Sequence, residues 1–270
     1  MNKNTWPIIV GGVHRSGTSL VRRILDSHSR IHCGPEIKFF KDWHGDYIGD
    51  PIKHARFFES ARAVLPADLL MQIFGKGFVE LHQRAAGQAN KPRWADKNPE
   101  NVLYLDEWEK ILGREWVFIQ VVRNPLDTLA SIAEANFRFA IPQDLDGRIK
   151  LYKYYSEAGL SYFRANPERS FRVIYEALVT SPWREIQRMM EWLGEQAEFS
   201  QLAFNSIEHQ PGLEDPKIAG TVEIQSDSLG RWKRAFSPEE VRVIVNGTQS
   251  LWAQLDTEGI YRIDDIPESR

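Results

Sequence analysis

Between Gly12 and Ser19 the chain reads Gly12-Val13-His14-Arg15-Ser16-Gly17-Thr18-Ser19, which joins the glycine spacing G-x-x-x-x-G to one cation and several hydroxyls. Glycines at that spacing let successive backbone N–H groups face one point, and a helix starting behind them adds its positive end. The segment therefore reads as a phosphate-binding loop, or P-loop. His14, Arg15, Ser16, Gly17, Thr18 and Ser19 are its candidate anion ligands. A nucleoside triphosphatase carries Lys after the second glycine, whereas here Thr18 stands there and the cation is Arg15. The clearest apolar strand ends in Arg123, not in the Asp that would hold magnesium. An anion held by positive side chains, with no metal, is the expectation. Arg123, with Ser131 on the helix that follows, could clamp a second phosphate. Taken alone, Arg123 is the weaker signal, since an Arg after a strand is often a surface ion pair; the alternative for Arg15 is a solvated loop residue.

Three histidines near the loop compete for roles. His14 lies within the cradle, His28 ends the first predicted helix where the dipole favours it, and His32 alternates with Cys33 in a short strand. No pair has zinc-site spacing. The nine tryptophans and eight tyrosines are mostly core or anchoring residues by type. Trp232 is set apart because it adjoins Arg231 and offers a face to a base. Tyr152, Tyr154 and Tyr155, interleaved with Lys150 and Lys153, read as a half-buried helix face, not a nucleic-acid patch.

These residues need a scaffold that brings distant segments together. Pro7 to Gly12 is a short apolar run ending in glycines, as a buried parallel strand entering a tight turn should be. Helical spacing follows over 18–27, with Arg22 and Arg23 off the apolar stripe. Ile31 to Gly34, Trp94 to Lys97, Trp116 to Val122 and Phe171 to Tyr175 read as further strands. Asn98-Pro99 and Asn124-Pro125 read as a cap and first residue of helices. Helices are also expected near 147–165, 182–193 and 238–255, the last opened by Ser237-Pro238-Glu239-Glu240. Over 42–92 the apolar residues suggest two or three helices parted by Pro51 and Pro66. The polar stretch 206–228 suggests a lid. The alternation implies an α/β, P-loop-like three-layer fold: a central, mainly parallel sheet flanked by helices, with the ligand beyond the strands' carboxyl ends.

Composition sets the outer bounds. The 270 residues are 42% hydrophobic and 26% charged, with 34 basic against 37 acidic side chains and a net charge of −3. No global positive field draws the chain to nucleic acid or anionic lipid. A single cysteine, Cys33, excludes an intrachain disulfide and fits a reducing, cytoplasmic setting. No apolar run approaches a signal sequence or a membrane span. One domain over 1–270, with a helical insertion at about 42–92, is expected. The sequence carries no signal of oligomeric state.

The loop, together with Val122-Arg123 through Ser131, resembles the sulfotransferases that use 3′-phosphoadenosine 5′-phosphosulfate (PAPS). The match is closest to the tyrosylprotein sulfotransferase branch. Leu25-Asp26-Ser27-His28 and Cys33-Gly34-Pro35-Glu36 extend the likeness, as do Asp96-Lys97-Asn98-Pro99, Tyr175-Glu176-Ala177-Leu178 and Ser228-Leu229-Gly230-Arg231-Trp232. The resemblance implies that the loop binds the 5′-phosphosulfate and that Arg123 and Ser131 bind the 3′-phosphate. It places Tyr175 near the adenine and likens Ser228 through Trp232 to a late element whose basic residue, here Arg231, closes over the 3′-phosphate. It makes Lys97 a cation at the transferring sulfonate and Glu36 the base, with adenosine 3′,5′-bisphosphate (PAP) as product.

Three departures stand out. Lys38 replaces that branch's Arg two residues after the base, which keeps the charge but loses the bidentate fork. Ala135 stands where a second basic residue for the 3′-phosphate is found, with Arg138 as a substitute to consider. The branch's membrane anchor and disulfides have no counterpart here. The implied activity is sulfonate transfer to an acceptor hydroxyl, a phenol or peptide tyrosine by analogy, with carbohydrate, lipid and secondary-metabolite hydroxyls open. The competing readings are a P-loop small-molecule kinase and a non-catalytic nucleotide-binding protein. Glu36 otherwise reads as an acid at a helix start, and His28 is the second candidate base.

Overall fold

Strands buried on both faces must be apolar almost throughout. The strands β1 (Ile8–Gly12) and β4 (Val117–Val122) meet that demand and lie side by side at the centre of the sheet. The computed structural model describes residues 3–47, 51–135, 141–212, 218, 220, 221 and 223–261. With β2 (Ile31–Cys33), β3 (Arg93–Lys97) and β5 (Ser170–Ile174) it forms a five-stranded sheet in the order β2-β3-β1-β4-β5. Every pairing is parallel, with Ile8 opposite Ala95 on one side and Val117 on the other.

The period-2 alternation of β1 and β4 divides the core in two. Ile8, Val10, Val117, Ile119 and Val121 face helices α1 (Thr18–Asp26), α8 (Tyr175–Thr180) and α9 (Pro182–Leu193). Ile9, Phe118 and Val122 face the other layer. That layer holds α2 (Phe39–His44), α4 (Ala67–Gln88), α5 (Leu105–Leu112), α6 (Pro125–Ala135), α7 (Leu145–Ala165) and the last helix, Pro238–Leu255. The expected three-layer α/β architecture is thus the one observed.

Local departures have physical causes. Arg22 and Arg23, off the apolar stripe, are nonetheless both buried. The Arg22 guanidinium donates to the carbonyls of Cys33 (3.1 Å), Gly34 (2.8 Å) and Gln210 (3.1 Å), which satisfies a charge the hydrophobic pattern could not place. Asn98-Pro99 opens a five-residue 3-10 turn, Pro99–Leu103, and not an α-helix. The Asn98 amide N–H groups donate to Ile37 O and to Asp96, and its side chain makes no cap hydrogen bond.

In the 42–92 region α2 is followed by α3 (Pro51–Arg62) and α4, with Pro51 opening one and Pro66 preceding the other. Phe58, Ala61 and Phe74 pack on the core, whereas Phe57, Val64, Leu69 and Ile73 face outward. No described helix is long and apolar enough to cross a membrane.

Candidate active site

Each strand delivers one chemical group at its carboxyl end. The loop follows β1, Glu36 follows β2, Lys97 ends β3, Arg123 follows β4 and Tyr175 follows β5. All five border or reach one cleft of about 580 Å³. It lies where the chain leaves β1 for neighbours on both sides, the usual place for a ligand on such a sheet.

The loop turns sharply through two positive backbone angles, Arg15 at φ 68° and Gly17 at φ 102°. A Cβ on Gly17 would lie 2.4 Å from the Tyr175 ring, so both the angle and the space require glycine. Around the loop three guanidiniums converge. Arg15 Nε donates to Ser131 Oγ at 3.1 Å, and Arg231 Nη1 reaches the same oxygen at 3.5 Å. Arg123 donates to Arg15 O (3.2 Å) and Ser228 O (2.7 Å), and its guanidinium lies 4.3 Å from the Tyr175 ring centroid. Tyr175 Oη and Ser228 Oγ share a hydrogen bond of 2.5 Å.

Burial lowers the Arg123 pKa against the pull of Tyr175, Asp127 and Glu176, a shift that leaves an arginine charged at neutral pH. Arg231 is paired with Glu134 at 2.7 Å. Buried Arg123 Nε and Ser16 Oγ have no hydrogen-bond partner among the described residues. Unsatisfied buried donors beside clustered cations are what an anionic ligand would complete.

The other end of the cleft is a compensated charge cluster. Lys97 Nζ bonds the Glu36 carboxylate and also donates to Ser19 Oγ at 3.1 Å, so one ammonium links the candidate base to the loop. Lys38 Nζ bridges Glu36 (2.6 Å) and Glu100 (2.9 Å), and Lys41 pairs with Glu100 at 3.1 Å. Burial pushes the Glu100 carboxyl upward, but the charges of His14, Lys38 and Lys41 outweigh it and hold the group below the usual range. Burial also drives the His14 pKa down, only partly opposed by Glu100. Its Nε2 is 3.6 Å from Glu100. Because α2 starts at Phe39, Glu36 precedes the first turn and the helix dipole does not account for it.

The sequence-predicted residues fall into two sets. His14, Arg15, Gly17, Thr18, Ser19, Glu36, Lys38, Arg123, Ser131, Tyr175, Ser228 and Arg231 line the cleft. Ser16 and Lys97 sit just behind its wall, both fully buried. Trp232 does not offer a face to a base: its ring belongs to the core and its indole N–H donates to Tyr261 Oη at 2.9 Å. His28 is turned away as well, with Nε2 2.9 Å from Gln196 O, so it is no second base. Arg138 lies outside the described residues. Of the expected lid, Ile218, Thr221, Glu223, Ile224, Gln225, Asp227 and Ser228 border the cleft.

Three participants escaped sequence reasoning. Glu100 and Lys41 complete the charge cluster. Asp127 accepts the backbone N–H groups of Gly230 (2.9 Å) and Trp232 (3.1 Å), which fixes Arg231 over the cleft. Glu100 stands in the first turn after Pro99, where an acidic residue is ordinary.

Comparison with known proteins agrees with this geometry. A sequence profile described as the sulfotransferase family matches residues 7–199. A Caenorhabditis briggsae protein named "Putative protein-tyrosine sulfotransferase" is 26% identical over 244 residues, covering 87% of this chain and 83% of that protein. Among solved structures, the sulfotransferase domain of the Synechococcus PCC 7002 olefin synthase superposes with a TM-score of 0.62 at 17% identity, over 89% of this chain and 93% of that one. The sulfotransferase domain of the curacin biosynthetic pathway gives a TM-score of 0.62 at 17% identity, over 90% and 97%. The two structural likenesses speak for the fold, and the profile, spanning most of the chain, carries the assignment: this protein belongs to the sulfotransferase family of enzymes.

Proposed function

We propose that the enzyme moves a sulfonate group from PAPS to an acceptor hydroxyl, with Glu36 as general base. The observation that carries this reading is the Lys97 ammonium, which touches Glu36 on one side and Ser19 of the loop on the other. A group passing from a loop-held phosphate to a hydroxyl beside Glu36 must travel past that charge. PAPS supplies an activated sulfonate on its 5′-phosphate. The loop N–H groups, Thr18, Ser19 and Arg15 hold that phosphate as its bond to sulfur breaks. Lys97 turns to the sulfonate oxygens, which frees a Glu36 oxygen to take the acceptor's proton as the new sulfur–oxygen bond forms.

Arg123, Ser131 and Arg231 form the 3′-phosphate site. Leu20, Phe204, Ile218 and Ile224, which pack in one cluster with Tyr175, give the adenine an apolar wall. The donor is held by side-chain cations and backbone donors, without a metal.

A phenol, free or in a peptide, is the acceptor class this base suits, since a phenolic pKa near 10 leaves a proton to remove. The name of the Caenorhabditis briggsae relative points the same way. Calorimetric titration with adenosine 3′,5′-bisphosphate, 5′-AMP and ATP with magnesium tests the donor. The bisphosphate should bind in preference, and Arg123→Ala should abolish the preference. Tighter binding of ATP with magnesium would overturn the reading.

A further inference from the structure

Ser131 and Glu134 stand one turn apart on α6 and so share a face of that helix. Arg231 Nη1 spans them, 3.5 Å from the hydroxyl and 2.7 Å from the carboxylate. Any anion that takes Ser131 as a donor therefore sits within one guanidinium of a resident negative charge. The contrast with Arg123 is sharp. That buried guanidinium has no ion pair among the described residues, and its Nε has no acceptor. Arg231, closer to solvent, is already paired. The two cations of one anion site are thus held in different states, one open and one masked.

From this we infer that Glu134 is a resident counter-anion of the site, which an incoming phosphate must displace from Arg231. It thereby sets how strongly the enzyme favours a 3′-phosphorylated nucleotide over a 5′-monophosphate. The identity of that ligand rests on the donor reading above, whereas the competition for Arg231 rests on the side-chain geometry alone. Glu134 is 46% exposed, so its carboxylate has water within reach once Arg231 is claimed. A dianion gains a full partner only after that exchange. The lost Arg231–Glu134 pair and the repulsion between the two anions are subtracted from its affinity.

The test is Glu134→Gln, a near-isosteric change at a half-exposed helix position that should leave the fold intact. In calorimetry the variant should bind adenosine 3′,5′-bisphosphate roughly tenfold more tightly than the wild type, with 5′-AMP unchanged. Inorganic phosphate should raise its melting temperature more than it raises that of the wild type. Unchanged or weaker bisphosphate and phosphate binding would overturn the inference and make Glu134 a mere support for Arg231. A wild type that shows no preference for the bisphosphate over 5′-AMP would sink the donor reading instead. The phosphate series then decides alone: stronger stabilisation of Glu134→Gln upholds the counter-anion role, and equal stabilisation ends it.

Discussion

Glu36 is bonded to two ammonium groups, Lys97 and Lys38, so an acceptor hydroxyl reaches its carboxylate only when one of them moves aside. That makes its replacement informative about chemistry more than about binding. Glu36→Gln should lower turnover by about 10²–10⁴-fold while bisphosphate affinity stays within about twofold, as steady-state kinetics beside calorimetry would read. Retained turnover would remove Glu36 from the mechanism. At this scale the sequence was legible where the chemistry is local. Arg15, Thr18 and Ser19 lie within one loop, and Arg123 sits directly after an apolar strand. Glu100 was not legible, because its partners Lys38 and Lys41 come from a different strand end and no periodicity links them. Trp232 misled for the reverse reason: its neighbour Arg231 lines the cleft while its own ring turns into the core.

Among the elements, α6 carries both Ser131 and Glu134, and its start is set by Asn124. The Asn124 side-chain oxygen accepts the Asp127 N–H at 2.8 Å, and its backbone and side-chain N–H groups donate to Glu176 Oε1. Burial raises the Glu176 pKa, opposed by those Asn124 hydrogen bonds. Asn124→Ala removes a cap and strands a buried carboxyl, at a cost of about 2 kcal/mol. The melting temperature should drop by about 4–8 °C, and bisphosphate binding should weaken because Ser131 loses its fixed aim; an unshifted melting curve would contradict this. The cap-then-proline signal made α6 readable in advance. The same signal at Asn98-Pro99 gives a 3-10 turn with no side-chain cap, and the Asn98 amide N–H groups tie Ile37 and Asp96 instead.

For the molecule as a whole, alternating strands and helices announced a parallel sheet, but the order β2-β3-β1-β4-β5 is set by pairings that no window of sequence contains. Buried carboxylates tie this assembly together and give it an acid limit. Burial raises the Asp26 carboxyl, yet hydrogen bonds from His209, His32 and the Cys33 N–H hold it well below its ordinary value, as the surrounding cations do for Glu100. A carboxyl depressed in the fold stabilises it fully above the unfolded pKa of about 4 and loses that contribution as pH falls further. Urea midpoints should therefore decline below about pH 4. Glu100→Gln should be less stable at neutral pH by about 3 kcal/mol and show a shallower acid decline; parallel pH profiles for the two proteins would refute that. The position of β1 has one more outcome. It is the middle strand of the sheet, yet it comes first along the chain, with partners at Ala95 and Val117. During synthesis the phosphate-binding loop and its apolar strand emerge long before either neighbour exists. The nascent chain must shelter this apolar strand until β3 and then β4 have been made, so the sheet around the loop closes late.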